Sequence, residues 1–289
     1  MYALLDYGFG RKLEQFGPYI LDRPAPAVED SRPQRPELWS RAHSRFIRKE
    51  DLRGFWQDRQ KIPDAWAIQI NGLSFNLKRT PVGHLGIFPE QAQNWGWLRN
   101  VTRPGQRVLN LFAYTGGSSI AAASRDPSVV VAHVDSAKNT VQWARNNAER
   151  TTRDFQVPLS IRWLPEDAQK FVAREIKRGN QYDAIILDPP SYGHGSKGET
   201  WQIGIDLPIL TQKCLELTQQ RPDYLLLTAH SPDFTKNQLA EMVQDLLASD
   251  SKDDYRIELG SMRLYAPEIR PFDCGDYVRF SRKDLLNED

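Results

Sequence analysis

Three aspartates stand at or just after apolar runs of strand length, where their carboxylates could bind a polar ligand. Asp135 ends the run VVVAHVD, Asp188 ends YDAIILD, and Asp167 follows PLSIRWL. A charge-assisted hydrogen bond to a carboxylate is worth roughly 1.5 to 3 kcal/mol. Asp135 comes 19 residues after Gly116, which favours acceptance of ribose hydroxyls from a bound nucleoside. The alternatives are structural, with Asp135 capping a helix beside Ser136 and Asp167 lying in a first helical turn.

The second chemical feature is a glycine turn within RVLNLFAYTGG, residues 107 to 117. The apolar run breaks at Tyr114-Thr115-Gly116-Gly117, and the small-residue run SSIAAAS follows. This pattern predicts a buried strand, a tight turn and the start of a helix. Because glycine has no Cβ, the backbone N–H groups of such a turn can approach a ligand closely. The turn is therefore a candidate cofactor site.

A rigid loop, Asp188-Pro189-Pro190-Ser191-Tyr192, is the candidate reactive site. Two consecutive prolines fix φ and remove two N–H donors, so we expect the carbonyl groups of this loop to point outward unpaired. With the Asp188 carboxylate, they could hold an amino group or the ring edge of a base, on which Tyr192 could stack. An ordinary turn after a strand is the alternative.

A sheet is needed to bring these residues together. After the strand that leads into the glycine turn, apolar runs recur at 129–135, 158–164, 182–188 and 223–229. Segments that can be helical separate the runs, which predicts an α/β fold with a parallel sheet covered on both faces. Ligands bind beyond the carboxyl ends of such strands. Two more strands are predicted near 255–260 and 276–282.

Three stretches carry a resemblance to a known family: LNLFAYTGG, VDSAKNTVQWARNNAE and DAIILDPPSYG. In this order and spacing they resemble motifs I, II and IV of class I S-adenosylmethionine-dependent methyltransferases, over residues 107 to 193. Within that class the sequence is similar to the large-subunit (23S) ribosomal RNA methyltransferases. The resemblance implies a Rossmann-like sheet of seven strands with the last pair antiparallel. It also implies S-adenosylmethionine as the cofactor and a base of ribosomal RNA as the acceptor; a protein or small-molecule acceptor is the alternative.

The resemblance assigns a catalytic role to the loop. Asp188, Pro189, Pro190, Ser191 and Tyr192 would hold the acceptor base in line with the sulfonium methyl group. The base would be single-stranded or flipped out of a helix. Methyl transfer from a sulfonium needs little acid or base help, so alignment and exclusion of water would supply most of the catalysis.

The resemblance also assigns residues to the cofactor. Asp167 would meet the adenine amino group, and a segment before the sheet would wrap over the cofactor, which implicates Phe88 and Gln91. The family usually has an arginine after this glutamine, whereas Ala92 stands here. The predicted cofactor-binding residues are Phe88, Gln91, Asn110, Phe112, Ala113, Tyr114, Thr115, Gly116, Asp135, Ser136, Asp167 and Asp188.

Which atom is methylated depends on whether the site contains a cysteine nucleophile. Related enzymes that methylate C5 of cytosine carry a cysteine after the fifth strand, because C5 is activated only after thiolate attack at C6. This chain has LTAHS there, at residues 227 to 231. Cys214 lies in an apparent helix and Cys274 in a C-terminal turn, so direct transfer to nitrogen or oxygen is at least as well supported. His194 and His230 are candidate bases beside the loop.

Two regions are predicted: residues 1 to 80 as a β-rich substrate-recognition region, and residues 81 to 289 as the methyltransferase domain. Residues 2 to 24 alternate short apolar runs with glycines, as an antiparallel meander does. Asn71-Gly72 predicts a hairpin over residues 66 to 78.

Positive charge is concentrated in the N-terminal third, although the whole chain has a net charge of only +1. Residues 1 to 100 hold 15 basic and 11 acidic side chains, a net of +4, together with five of the eight tryptophans. Residues 41 to 61 hold seven basic against three acidic residues, which makes them the RNA-contact candidate. The alternative is that the tryptophans are core residues and the arginines a solvated face.

Composition and spacing weigh against other classes of protein. The chain of 289 residues is 40% hydrophobic and 26% charged, as soluble globular proteins are. No apolar stretch approaches the ~18 residues of a membrane span, no signal sequence opens the chain, and the two cysteines give no metal spacing. These features predict a cytoplasmic enzyme without a metal.

Two rival functions have some support in the sequence. Gly193, Gly195 and Gly198 spell the dinucleotide fingerprint GxGxxG. That fingerprint must follow the first strand, whereas this one follows the proline pair, so a nicotinamide-dependent oxidoreductase is disfavoured. We interpret residues 193 to 200 as a loop over the active site. A binding protein without catalysis is disfavoured by the intact proline loop.

Overall fold

The chain forms two compact units. The computed structural model describes residues 1–49, 53–194, 200–231, 234–247 and 252–285. The first unit consists of Met1–Ala92 and Arg263–Asp273, and the second of Gln93–Met262 and Cys274–Asp289. The segment Arg263–Asp273 therefore belongs with the N-terminal strands although it lies close to the end of the chain.

The first unit is built from β-strands. They are β1 (Tyr2–Gly8), β2 (Arg11–Phe16), β3 (Tyr19–Pro24), β4 (Ser44–Arg48), β5 (Gly54–Asp58), β6 (Ala65–Ile70) and β7 (Leu73–Lys78), with 3₁₀ turns at Pro26–Val28, Pro36–Arg41 and Pro89–Gln91. β1, β2 and β3 pair antiparallel in sequence order, which confirms the predicted meander. β4 pairs parallel with β3, and β5 pairs antiparallel with β4, giving a five-stranded sheet.

A hairpin joins β6 and β7 in the first unit. The strands pair antiparallel up to Ile70 and Leu73, so Asn71 and Gly72 form a two-residue connection. Both connecting residues have positive φ, 49° for Asn71 and 73° for Gly72. A type I′ turn requires positive φ at both positions, and its twist matches that of the strands. The predicted hairpin is confirmed, and its turn has a local cause in the sequence.

The second unit contains a sheet flanked by helices. Its strands are β8 (Arg107–Leu111), β9 (Val130–Asp135), β10 (Ser160–Pro165), β11 (Ala184–Leu187), β12 (Tyr192–His194), β13 (Thr200–Gln202), β14 (Tyr224–Ala229), β15 (Tyr255–Leu264) and β16 (Phe272–Arg282). Its helices are α1 (Ala92–Val101), α2 (Gly117–Ala123), α3 (Lys138–Phe155), α4 (Ala168–Lys177), α5 (Ile203–Glu216) and α6 (Lys236–Leu246). The described part of the chain has no helix with both the length and the apolar character to cross a bilayer.

Seven of these strands form one mixed sheet in the order β10-β9-β8-β11-β14-β16-β15. β8, β9, β10, β11 and β14 are parallel, whereas β16 runs antiparallel to β14. The central strands β11 and β14 are buried along their whole length, as their continuous apolar runs predicted. The predicted Rossmann-like methyltransferase sheet, with an antiparallel strand near its end and a separate N-terminal β region, is confirmed.

A buried polar chain lies beneath the glycine turn. The Asn110 amide donates to Ser119 Oγ at 2.8 Å, and Ser119 Oγ lies 2.9 Å from His133 Nδ1. Ser119 Oγ keeps its own proton and a second lone pair after it accepts from Asn110, so either Ser119 or His133 Nδ1 can donate in the contact between them. The ring is fully buried and packs on Trp163, with ring centroids 4.9 Å apart. Burial lowers the pKa of His133 to about 3, so the folded protein holds a neutral imidazole.

We expect this histidine to make the fold sensitive to acid. The unfolded chain takes up a proton near the ordinary histidine pKa of about 6.5, whereas folded His133 does not until the pH approaches 3. The free energy of unfolding should therefore fall as the pH drops from about 6.5 toward 3, by up to about 1.4 kcal/mol per pH unit from this group. Urea unfolding at several pH values measures the slope.

His133→Asn is the matched variant, because its amide group can still form a hydrogen bond with Ser119, as donor or acceptor, while it no longer titrates. Its absolute stability should be lower, since the ring is lost from the core. The informative quantity is the slope between pH 6.5 and 4, which should be shallower in the variant. Equal slopes in the two proteins would show that His133 does not set the acid sensitivity.

Candidate active site

The carboxyl ends of four neighbouring parallel strands bring the predicted site residues of the second unit to one edge. Asp135 ends β9 opposite Pro165 at the end of β10, and Leu187 of β11 pairs with Leu111 of β8. Along this edge the order is therefore Asp167 after β10, Asp135 on β9, the glycine turn after β8 and Asp188 after β11. This is the arrangement that the sequence predicted from strand ends alone.

The glycine turn has an unusual backbone. Phe112, Tyr114 and Gly116 have φ values of 55°, 47° and 92°, so three residues of the turn lie in the left-handed region that is costly for side chains other than glycine. The Gly116 N–H donates to the Ala113 carbonyl at 3.0 Å. The Asn147 amide donates to the Thr115 carbonyl, also at 3.0 Å. The turn is thus tightly closed and held from α3.

Asp135 has a structural role in this turn. Its Oδ2 accepts the Tyr114 N–H at 3.0 Å, and its Oδ1 accepts the Ala137 N–H at 2.9 Å. Burial raises the pKa of Asp135, and the two backbone donors oppose that shift. The carboxylate therefore connects the glycine turn to the start of α3, where Ser136 is exposed. Binding of a ribose by Asp135 stays a prediction.

Asp167 caps the next helix along the edge. Its Oδ1 accepts the Lys170 N–H at 3.0 Å, and it is the N-cap residue of α4. This contact corresponds to the structural alternative that the sequence left open. Contact with an adenine amino group remains a prediction for this residue.

Two carbonyl groups of the proline loop accept hydrogen bonds, contrary to the prediction from the sequence. The Pro190 carbonyl accepts from Trp201 Nε1 at 2.7 Å, and the Ser191 carbonyl accepts the Ile203 N–H at 3.1 Å. The expectation that the carbonyl groups of this loop point outward unpaired is therefore wrong for these two residues. The physical reason is that β12 and β13 form an antiparallel hairpin that folds back along the loop. Tyr192, on β12, is 56% exposed.

Trp201 connects the loop to the glycine turn. Its ring packs against Phe112 with centroids 4.8 Å apart, and the residue is only 8% exposed. Trp201 was not predicted as a site residue, because its isolated position in a polar stretch gave no periodic signal. The interpretation of residues 193 to 200 as a loop needs correction at both ends, because β12 and β13 are strands. Residues 195–199 and the His194 side chain lie outside the described residues.

Asp188 contacts one side chain of β14 and one from the residue that follows this strand. Thr228 Oγ1 donates to Asp188 Oδ1, and His230 Nε2 lies 3.5 Å from the same oxygen. The sequence analysis named His230 as a candidate base but missed Thr228. The signal available for Thr228 was a hydroxyl in the otherwise apolar run DYLLLTA, where a buried polar group needs a partner.

The remaining residues named from the sequence are Phe88, Gln91, Cys214 and Cys274. Phe88 and Gln91 belong to the first unit, where Phe88 packs edge-on against His84, with centroids 5.5 Å apart, and Gln91 is buried. Cys214 is fully buried in α5, and burial raises the pKa of its thiol. Cys274 lies on β16, where its backbone carbonyl contacts His230. Over the described ranges, which omit five short segments, there is no cluster of His, Cys, Asp and Glu suited to a metal ion.

Comparison with known proteins agrees with this geometry. The sequence model of the S-adenosylmethionine-dependent methyltransferase family matches residues 46–220, and the chain belongs to that family. The protein is therefore an enzyme whose cofactor is S-adenosylmethionine, which supplies a methyl group on a positively charged sulfur when bound. An added Cβ at Gly116 would approach the Ala144 Cβ to 3.0 Å, so glycine at this position allows the turn to pack closely against α3. That the residues at the sheet edge hold the cofactor stays a prediction.

Individual proteins are also similar to this chain in sequence and structure. A structure of an S-adenosylmethionine-dependent methyltransferase from Agrobacterium tumefaciens is 33% identical, with a TM-score of 0.87 over 98% of this chain and 90% of that one. The putative ribosomal RNA large subunit methyltransferase YwbD of Bacillus subtilis is 29% identical over 53% of this chain and 38% of its own length. Ribosomal RNA large subunit methyltransferase K of Neisseria meningitidis is 28% identical over 53% and 42%, respectively. The matches thus span less than half the length of these two curated relatives.

Proposed function

We propose that the enzyme methylates a base of RNA, most directly ribosomal RNA, at the Asp188–Tyr192 loop. The observation that carries the proposal is the pairing of a fixed carboxylate with an exposed ring. Asp188 is held by Thr228 and lies four residues before Tyr192, which is 56% exposed. A carboxylate recognises the N–H groups of a base edge, and a tyrosine ring offers a stacking surface. The similarity to the putative ribosomal RNA large subunit methyltransferase YwbD and to ribosomal RNA large subunit methyltransferase K supports the same acceptor.

The proposed reaction requires little from the protein beyond alignment. S-adenosylmethionine would supply the methyl group to a lone pair of an acceptor nitrogen or oxygen; the electron pair of the carbon–sulfur bond would stay on sulfur, and the acceptor's proton would pass to water. Asp188 would accept a hydrogen bond from that N–H or O–H group and direct the lone pair of the acceptor atom. Cys214 is fully buried, so it does not suit the thiolate attack that methylation at C5 needs. Cys274 is only partly buried and is the remaining thiol; direct transfer to nitrogen or oxygen is proposed because no cysteine follows β14 in LTAHS.

We propose that the first unit recognises the RNA, in keeping with its predicted role. Its sheet carries a basic face, defined here as Arg11, Arg45 and Lys49; Arg48, between the last two in sequence, points to the other side of the sheet because strand side chains alternate. Asp22 pairs with Arg11 at 2.5 Å and with Arg45 at 3.3 Å. Burial lowers the pKa of Arg11, Asp22 opposes that shift, and the charges of Arg45 and Arg48 add to it. The face thus holds more positive charge than Asp22 balances, which suits phosphate groups.

An exposed aromatic ring lies beside the basic face. Phe55 on β5 is 48% exposed, and Lys49 Nζ lies 5.9 Å from its ring centroid. Phe55 pairs across the sheet with Ile47, next to Arg48. A cation and an exposed ring side by side suit a single-stranded nucleic acid, because the ring can stack on a base while the cation contacts the backbone.

Removing the positive charge from the basic face and from the neighbouring Arg48 should weaken RNA methylation. We expect the triple variant Arg45→Gln, Arg48→Glu and Lys49→Glu to lower kcat/KM for RNA by about 10-fold or more at moderate salt, because phosphate contacts are lost. Gln is used at Arg45 because a glutamate there would face the Asp22 carboxylate. The dissociation constant for S-adenosylmethionine, measured by calorimetry, should not change.

A matched triple variant on the second unit controls for total charge. Arg125→Gln, Lys177→Glu and Arg256→Glu change three exposed residues by the same amounts, and this variant should methylate RNA within about 2-fold of wild type, because long-range charge effects are screened at physiological salt. Equal losses in the two variants would contradict a role for the basic face.

The second candidate is a protein or small-molecule acceptor. The net charge of +1 favours it, since it gives no overall attraction to nucleic acid. Radiolabelled methyl groups incorporated into the protein or small-molecule fraction of an extract, and not into RNA, would select this candidate.

A further inference from the structure

His230 connects two parts of the active-site edge. It follows β14 directly, and its ring is two-thirds buried, with 33% of the side chain exposed. Nδ1 lies 2.7 Å from the carbonyl oxygen of Cys274 on β16, and Nε2 lies 3.5 Å from Asp188 Oδ1. The ring therefore bridges the antiparallel end of the sheet and the carboxylate of the proline loop.

The chemistry of these contacts determines where the protons lie. A carbonyl oxygen only accepts, so the contact with Cys274 requires a proton on His230 Nδ1. In a neutral ring, Nε2 would then present a lone pair to a carboxylate oxygen, which is unfavourable. The contact is favourable when Nε2 also carries a proton, which then points toward Oδ1. The ring can therefore interact with the Cys274 carbonyl and the Asp188 carboxylate at the same time.

Close packing of the backbone holds the bridge in place. Gly275, next to Cys274, has a φ of 138°. A Cβ at this position would lie 2.5 Å from the Ala229 carbonyl oxygen and 3.2 Å from the His230 Cα. Glycine is required for this approach, because any other side chain would collide with the end of β14. The approach places the Cys274 carbonyl where the His230 ring can reach it.

We propose that His230 is a positioning residue that, with Thr228, sets the orientation of the Asp188 carboxylate toward the acceptor. Both side chains contact the same oxygen, Oδ1. A carboxylate held at Oδ1 from two directions cannot rotate freely about its Cβ–Cγ bond. The direction in which Asp188 accepts a hydrogen bond is then fixed before the acceptor arrives, which is how preorganised groups promote a reaction. This inference rests on the proposed function of the Asp188–Tyr192 loop.

Two conservative variants separate the two contacts of the ring. In His230→Gln the amide nitrogen takes the place of Nε2 and can still donate to Asp188. In His230→Asn the amide nitrogen takes the place of Nδ1 and can donate only to the Cys274 carbonyl. Because the contact with Asp188 carries the proposed role, Gln should retain kcat within about 3-fold of wild type, whereas Asn and Ala should lose about 30-fold or more.

The melting temperature, the dissociation constant for S-adenosylmethionine and the KM for the acceptor distinguish positioning from structure. All three should change little in the Asn variant while kcat falls. An Asn variant as active as wild type, or a Gln variant as impaired as Ala, would overturn the proposal. So would a loss of kcat that only follows a loss of thermal stability.

A second measurement does not depend on the acceptor. In protein labelled with ¹⁵N-histidine, the imidazole resonances of His230, assigned by their loss in the Gln variant, should show a proton on Nδ1. They should shift in Asp188→Asn and stay unchanged in Asp183→Asn. This result with no methylation of RNA would leave the bridge intact and reject only the proposed function. A His230 ring protonated on Nε2 alone, or unaffected by Asp188→Asn, would reject the bridge itself.

Discussion

Replacing Asp188 with alanine is expected to lower methyl transfer to RNA by about 100- to 1000-fold, the usual loss when a preorganised polar group of an active site is removed. The residue lies at the carboxyl edge of the sheet, directly after β11, and Thr228 and His230 hold its carboxylate. Alanine leaves the backbone of the proline loop in place but removes the acceptor for the hydrogen bond from the substrate. Single-turnover kinetics with saturating S-adenosylmethionine measures the loss in the chemical step.

The control for this variant lies at the other end of the same strand. Asp183 precedes β11 and accepts the Arg107 N–H at 2.6 Å, so Asp183→Asn removes a carboxylate from the unit without touching the edge where the site lies. We expect its rate to stay within about 3-fold of wild type, since its only loss is one charge-assisted bond at the far end of the sheet. Comparable losses in both variants, or an Asp188→Ala enzyme with wild-type activity, would contradict the assigned role.

Replacing Gly116 with alanine is expected to weaken binding of S-adenosylmethionine by at least about 10-fold, because it acts on two properties of the turn. The backbone has a φ of 92°, and the added Cβ would lie 3.0 Å from the Ala144 Cβ and 3.5 Å from the Ile120 Cδ1. The methyl group therefore strains the turn and displaces it from α3. Calorimetric titration with S-adenosylmethionine measures the affinity.

The variant Gly105→Ala separates the effect of backbone strain from the effect of a position in the glycine turn. Gly105 has a similar φ of 81°, but an added Cβ would meet no atom within 4 Å. Both variants should lose roughly 1 to 2 kcal/mol of unfolding free energy from the left-handed conformation, and only Gly116→Ala should also lose affinity. An unchanged affinity in Gly116→Ala would show that the glycine turn does not contact the cofactor.

Features with a local cause were predictable from the sequence. The continuous apolar runs identified the buried strands β11 and β14 because both faces of a parallel sheet are covered. The end of each run then placed Asp135 and Asp188 at one edge. Asn71-Gly72 determined the β6–β7 hairpin because only a few residue pairs adopt positive φ at two successive positions. In each of these cases the physical cause lies within about ten residues of sequence.

Features that depend on distant partners were not predictable in the same way. The parallel pairing of β3 with β4 and the inclusion of Arg263–Asp273 in the first unit depend on contacts between remote segments. The Pro190 carbonyl was expected to be unpaired, because its partner, Trp201, comes eleven residues later and is brought back only by the β12–β13 hairpin. The local sequence predicts the backbone conformation of a loop. The hydrogen-bond partners of its polar groups depend on the folded chain.

The measurement that tests the central claim most directly is methyl transfer from labelled S-adenosylmethionine to RNA isolated from cells that lack this gene. Nucleoside mass spectrometry then identifies the product. The proposed function predicts one methylated nucleoside, with the label on nitrogen or oxygen, that forms with the wild-type enzyme and not with Asp188→Ala. No methylated nucleoside, from an enzyme that demonstrably binds S-adenosylmethionine, would contradict RNA as the acceptor. A 5-methylpyrimidine whose formation requires Cys274 would contradict direct transfer to nitrogen or oxygen.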